Sequence, residues 1–194
     1  MLRELKKSKA ESISKIQSGD YVKLKGNALK VIEPLVAPIS GRECIFYQVL
    51  IEKKGSKNSW HKVVDATETQ DFFLGQQGEM VMVKMDIPRS ETQIYLEKDN
   101  VQNSSTFAEP SQRMLDYLEK NGASHKNILG FNRRMRYKEG IIAIDEKIVI
   151  KGIAQWKSLK QPIEGYSFSK ILSLTGTKDQ KLIITDLKKA LKID

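Results

Sequence analysis

The chain predicts a mainly β protein of antiparallel sheets in a barrel- or sandwich-like arrangement, with two or three short helices. Three observations carry this. Short segments rich in Val, Ile, Phe and Tyr alternate apolar with polar positions, and Gly, Asn and Asp punctuate them. Helical periodicity is confined to a few brief stretches. Residues 40–51, after a turn at Pro38 to Gly41, have the composition of a central strand. Ile45, Tyr47, Val49 and Ile51 form one apolar face, and Cys44 and Phe46 begin the other, so this strand is expected to be covered on both sides at its start. Many short strands joined by glycine-bearing turns are the pattern of a closed or stacked β architecture.

Taken in order, residues 1–17 read as a short basic helix with Leu2, Leu5, Ile13 and Ile16 on a broken stripe that Lys9 interrupts. Its options are a solvated, loosely docked helix or one lying at a membrane surface. Residues 21–31 read as a strand whose apolar parity shifts from Val22, Leu24 and Ala28 to Leu29 and Val31, which places a β-bulge at Gly26-Asn27. Residues 40–53 and 60–69 form a hairpin around the polar loop 54–59. Phe72-Phe73-Leu74 and residues 79–87 form another around Gly75 to Gly78. Residues 93–96 add a short strand, and 98–109 read as a flexible polar loop.

Ser111 caps a helix over 112–121, carrying Met114, Tyr117 and Leu118 and ending at Gly122, which is expected to lie across an open end or face of the sheet. Residues 132–156 are strongly β, with turns at Gly140 and Asp145-Glu146. Residues 169–174 and 181–185 are expected to form a final hairpin. A last short helix, capped by Thr185 or Asp186, turns Leu187, Ala190 and Leu191 inward.

Composition bounds the function. The net charge is +9 and lysine dominates it. A solvated lysine-rich surface fits, and so does attraction to lipid headgroups, nucleic acid or an acidic partner. With one cysteine, Cys44, and two histidines, the chain has no internal disulfide and no multi-cysteine zinc site. No cofactor or metal is expected. No stretch reaches the ~20 apolar residues of a transmembrane helix, nor the apolar core of a signal peptide, which predicts a soluble, cytoplasmic chain. No nucleophile elbow, phosphate-binding loop or metalloprotease motif is present.

Four segments carry a family resemblance: Val22-Lys23-Leu24-Lys25-Gly26-Asn27-Ala28; Pro38-Ile39-Ser40-Gly41-Arg42-Glu43-Cys44-Ile45-Phe46-Tyr47; Trp60 followed by Phe72-Phe73-Leu74; and Arg134-Met135-Arg136-Tyr137-Lys138-Glu139 through Val149-Ile150-Lys151-Gly152. In order and spacing they resemble the GIDE or BAM (beside-a-membrane) domain of the MULAN-type mitochondrial E3 ubiquitin ligases and of shorter bacterial proteins. The chain departs from that pattern at Gly75 to Gly78 and at Asp145-Glu146. Residues 1–18 are read from their composition as a basic N-terminal helix or stalk; the resemblance covers roughly 19–191 and implies a recognition or sensing domain over 19–194. That domain would be non-enzymatic and membrane-proximal, binding an anionic ligand, lipid headgroup or protein partner. Ligase activity belongs to a separate RING, whose zinc ligands this chain lacks. Family members also carry flanking transmembrane helices, so peripheral or anchored membrane association is a further expectation.

The candidate binding residues are Arg42, Trp60, His61, Arg134, Arg136 and Lys138. On a strand, Arg134, Arg136 and Lys138 share one side and suit phosphates or carboxylates; pairing with a local acid such as Glu139 is the plainer reading. Arg42 and Glu43 fit a turn-fixing ion pair or part of a groove. Trp60 and His61 suit stacking on a ligand, or a core tryptophan beside a surface histidine. An OB-like barrel binding nucleic acid is the alternative, and it predicts Trp60, Tyr137 or Tyr47 exposed on one basic face. An enzyme site around Arg42, His61 and Glu139 is a third option, and it requires those three to converge.

Overall fold

The computed structural model describes residues 1–8, 11–104, 110–127, 129–159, 166 and 168–193. Among them, the first half of the chain forms strands β1 (Tyr21–Lys30), β2 (Leu35–Val36), β3 (Glu43–Lys54), β4 (Trp60–Thr69), β5 (Phe72–Gln76) and β6 (Glu79–Val83). The second half adds β7 (Thr92–Tyr95), β8 (Asn100–Ser104), β9 (Met135–Ala143), β10 (Lys147–Ser158), β11 (Lys170–Thr175) and β12 (Leu182–Thr185). Three short helices, α1 (Leu2–Leu5), α2 (Gln112–Lys120) and α3 (Lys188–Leu191), complete the described elements. The mainly β expectation holds.

Five strands close on themselves in the order β1-β5-β6-β11-β10, because β10 pairs with β1 along its other edge. Alternating side chains of these strands, among them Val22, Leu24, Leu74, Val81, Ile150 and Leu174, fill the barrel interior. Closure uses a glycine. A Cβ on Gly26 would collide with the carbonyl of Gly75, so β1 can pass from β10 to β5 only where no side chain intervenes. That close approach, not a bulge, explains Gly26. Register runs unbroken along β1, and Leu29 follows no switched parity into the core.

β11 and β12 do not form the expected hairpin. Both pair with β10, one after the other along the same edge, and residues 176–181 are a lateral excursion between them. Gly176 lies where the two ends of the excursion meet, against the backbone of Leu182. The composition of 175–179 is that of a turn, but a turn that leaves a line and returns to it looks the same in sequence as one that reverses it. Nor are the sheets wholly antiparallel: β11 runs parallel to β6, and β12 to β7.

The second sheet has the order β8-β9-β3-β4, with β2 beside the start of β3. β3 carries the bulge that the sequence placed in β1. Cys44 faces Ala143 and Phe46 faces Ile142, leaving Ile45 as the extra residue. The bulge corrects the expected face of 45, 47, 49 and 51: Ile45 joins Phe46 in the barrel core, while Cys44, Tyr47, Val49 and Ile51 pack into a second core. The helix α2 covers that second core with Met114 and Leu118, and Gly122 follows it at φ +65°, as the sequence predicts.

Other expectations are adjusted. Residues 1–17 are not one helix: α1 is followed by a single 3-10 turn at Ile13–Lys15, and Leu5, Ile13 and Ile16 are buried against the barrel. Lys9 lies outside the described residues. Within 98–109, Asn100–Ser104 is a strand whose polar side chains hide a backbone paired to β9; 105–109 lie outside the described residues. Gly140 is inside β9, where residues 96–97 cross closely above it, and not in a turn. The last helix has Leu187 at its N-cap; Thr185 Oγ1 accepts the Leu187 N–H, and Asp186 instead accepts the Glu97 N–H.

Candidate functional site

The pleat of β3 and β9 sorts the second sheet into two faces. Tyr47, Val49, Ile51, Met135, Tyr137, Glu139 and Ile141 point toward α2. Glu139 is buried there, and its two carboxylate oxygens accept the N–H groups of Ile39 (2.8 Å) and Ser40 (3.0 Å), which ties down the Pro38–Gly41 turn. Tyr47 donates to Glu68 at the margin of this face. Cys44 is also buried, donating weakly to the Leu35 carbonyl, and desolvation pushes its thiol up to about 11, so it packs as a small hydrophobe.

The other face is packed on the barrel core at Phe46 and Ile142 and reaches solvent only toward its far end. Phe46, Gln48, Leu50 and Glu52 of β3 lie in register with Ile142, Gly140, Lys138 and Arg136 of β9. Glu52 Oε2 accepts from Arg136 Nε (2.6 Å) and from Lys138 Nζ (2.8 Å). Those two hydrogen bonds, Arg136 first, hold the Glu52 carboxyl down at about 2, so it is ionised wherever the protein is folded in ordinary buffers. The Arg136 guanidinium also sits 4.3 Å from the centroid of the Trp60 ring.

Where this face meets the barrel flank, a groove of about 860 Å³ opens between β3–β4 and the segment from Met85 to Ile94. Phe46, Met85, Ile87 and Ile94 make its apolar walls, while Gln48, Thr67, Thr69 and Arg89 supply hydrogen-bonding groups. Arg89 spans it by donating to Thr67 Oγ1 at 2.8 Å. A smaller cleft of about 160 Å³ continues from Gln48 toward Leu50, Leu96 and Lys138. Asp65 and Arg89 are the charged residues of the larger groove, and Asp65 is paired with Lys62. The lining therefore offers shape, apolar area and donors.

The six sequence-derived candidates do not form one site. Trp60, Arg136 and Lys138 come together around Glu52. Arg134 precedes β9; its carbonyl accepts the Lys54 N–H (2.8 Å) and its side chain is exposed. His61 is exposed beside Ser59 Oγ (3.2 Å), with register opposite Lys53 and so on the other face of β4 from Trp60. Arg42 lies beyond the far end of β3, roughly 35 Å of strand from Lys54, and pairs with Asp99 (3.4 Å), not with Glu43. Arg42, His61 and Glu139 therefore do not converge, which removes the enzyme site imagined around them. The acid that pairs the β9 cations is Glu52, not Glu139, because strand parity turns Glu139 toward α2. Glu52, Gln48, Thr67 and Arg89 escaped notice in the sequence, since only strand register brings them together.

Among the described residues, no group of three His, Cys, Asp or Glu is placed to hold a metal ion, and no helix is long and apolar enough to cross a membrane. No protein-family model, curated protein or solved structure matches the chain.

Proposed function

We propose that this chain is a recognition domain of the GIDE/BAM kind, working beside a membrane and acting by binding, not by catalysis. The observation that carries the reading is the groove between the second sheet and the barrel. Its size and its mixture of apolar walls with a few directed polar groups are those of ligand sites. The occupant is a small ligand, lipid headgroup or partner segment that lays an apolar part on Ile87 and Ile94 and engages Arg89 and Gln48. Anionic groups suit Arg89. The four sequence segments of the resemblance support the family.

A nucleic-acid reading has less behind it. It needs Tyr47, Tyr137 and Trp60 exposed on one basic face, yet Tyr47 and Tyr137 are buried under α2 and Trp60 is half-buried beneath Arg136.

The test is a fragment screen read by amide chemical shifts. Hits are expected to move Phe46, Thr67 and Ile94 together, and Arg89→Ala is expected to weaken acidic hits about tenfold, the loss of one charge-assisted hydrogen bond. Shifts scattered over the surface, or hits indifferent to Arg89, would count against the groove.

A further inference from the structure

The loop between α2 and β9 presents its apolar side chains outward. Leu129 is 78% exposed, the most exposed large apolar side chain among the described residues, and Phe131, two positions on, is 62% exposed. Both are anchored to Asn127 through the backbone. Asn127 Oδ1 accepts the N–H groups of Leu129 (2.9 Å) and Phe131 (3.0 Å), the Asn127 N–H donates to the Phe131 carbonyl (2.9 Å), and Lys126 bridges Asn132 across the turn. A turn organised by this many hydrogen bonds holds two large hydrophobes at its tip, where they contribute nothing to either core.

The surroundings of the tip are basic. The Arg133 N–H donates to the His125 carbonyl (2.7 Å), the Lys54 N–H donates to the Arg134 carbonyl (2.8 Å), and Lys53 lies opposite Met135. One end of the second sheet thus gathers Lys53, Lys54, Lys57, Lys126, Arg133 and Arg134. Among the described residues none of the six has an ion-pair partner. Hydrophobes at the tip of a hydrogen-bonded turn, beside cations without ion-pair partners, complement an anionic bilayer, whose headgroups meet the cations while the tip reaches the acyl boundary ~5–10 Å down.

We infer that this end of the second sheet is a membrane-docking surface, with Leu129 and Phe131 inserted into an anionic leaflet and the flanking lysines and arginines on its headgroups. The inference rests on the membrane-proximal half of the proposed function and adds the surface that makes contact. It does not depend on the groove.

The full chain is to be sedimented with vesicles of phosphatidylcholine alone or mixed with phosphatidylserine. Binding is expected only with phosphatidylserine and is expected to fall as ionic strength rises. The double change Leu129→Ser and Phe131→Ser, at exposed positions that leave the melting curve in place, is expected to lower the partition coefficient about tenfold or more. Lys57→Glu with Arg134→Glu is expected to abolish the preference for the anionic lipid, and the fluorescence of Leu129→Trp to shift blue on binding. Binding that survives the double serine change sinks this inference alone, whereas no binding at low salt sinks the membrane-proximal reading with it. Preference for a single-stranded oligonucleotide over vesicles, unmoved by the serine changes, would overturn the inference and make this end a nucleic-acid surface.

Discussion

The barrel and the second sheet are built from the same kind of strand but treat their surfaces in opposite ways. The barrel spends its strand edges on closure, and its interior is filled by alternating aliphatic side chains. The second sheet stays open. One face is sealed by α2; the other carries Glu52, Arg136, Lys138 and Trp60 and borders the groove. The difference separates labour: the closed half turns its alternating side chains into a shared core, and the open half brings Glu52, Arg136, Lys138 and Trp60 together and borders the groove.

The sharpest way to break this division is Gly26→Val. The added side chain meets the Gly75 backbone where β1 changes partners, so the barrel cannot close without a shift of strands. A loss of about 3 kcal/mol or more, or failure to fold, is expected in urea titration. A variant as stable as the parent would show that closure at β1–β5 is dispensable.

A smaller effect is expected at the seam, where Asp186 after β12 accepts the Glu97 N–H on the segment leading to the second sheet. Burial raises its carboxyl from 3.8 to about 6. An acid whose folded pKa stands above its unfolded one favours folding fully below the unfolded value and loses that contribution as pH rises through the folded value. Asp186→Asn is therefore expected to be more stable than the parent above pH 6, by about 1–2 kcal/mol, and to match it near pH 4. Thermal melts across that window decide it; equal melting temperatures at every pH would place Asp186 in a wetter setting.

The smallest effect belongs to the open face. Glu52→Gln removes the acid that holds Arg136 and Lys138, yet stability at neutral pH is expected to fall by less than about 1 kcal/mol, since the pair is partly exposed. The Glu52 contribution has the opposite sign from that of Asp186: it is present above about pH 4.5 and is lost as pH falls toward 2. A large loss at neutral pH would mean that the open face also supports the fold.

The amino-acid pattern disclosed the longer strands, two of the hairpins, the helix over 112–120 and the class of architecture, because alternation and turn residues are local signals, but it missed β2 and the polar β8. It misplaced the bulge, since Gly26 and Ile45 disturb parity for different reasons: one is a close crossing and the other an extra residue. It also joined β11 to β12, because both are local strands whose shared partner, β10, is distant in sequence. The candidate cations were partly legible: Arg136, Lys138 and Trp60 do meet. Their acid, Glu52, lies 84 positions from Arg136 and is joined to it only by register. Arg89 and Thr67 gave no signal at all, as a groove between two sheets is a property of how they pack.

The described ends of the chain lie on one patch of barrel wall. Lys23 and Lys151, neighbours across β1 and β10 and both buried, send their ammonium groups to the carbonyls of Leu5 (3.2 Å) and Glu4 (3.2 Å), and Lys23 also reaches that of Ile193 (3.5 Å). This clasp works like a buckle through which both straps pass. Anything tethered to either terminus would leave from the same address, and a short linker would suffice to stitch the two ends into a circle.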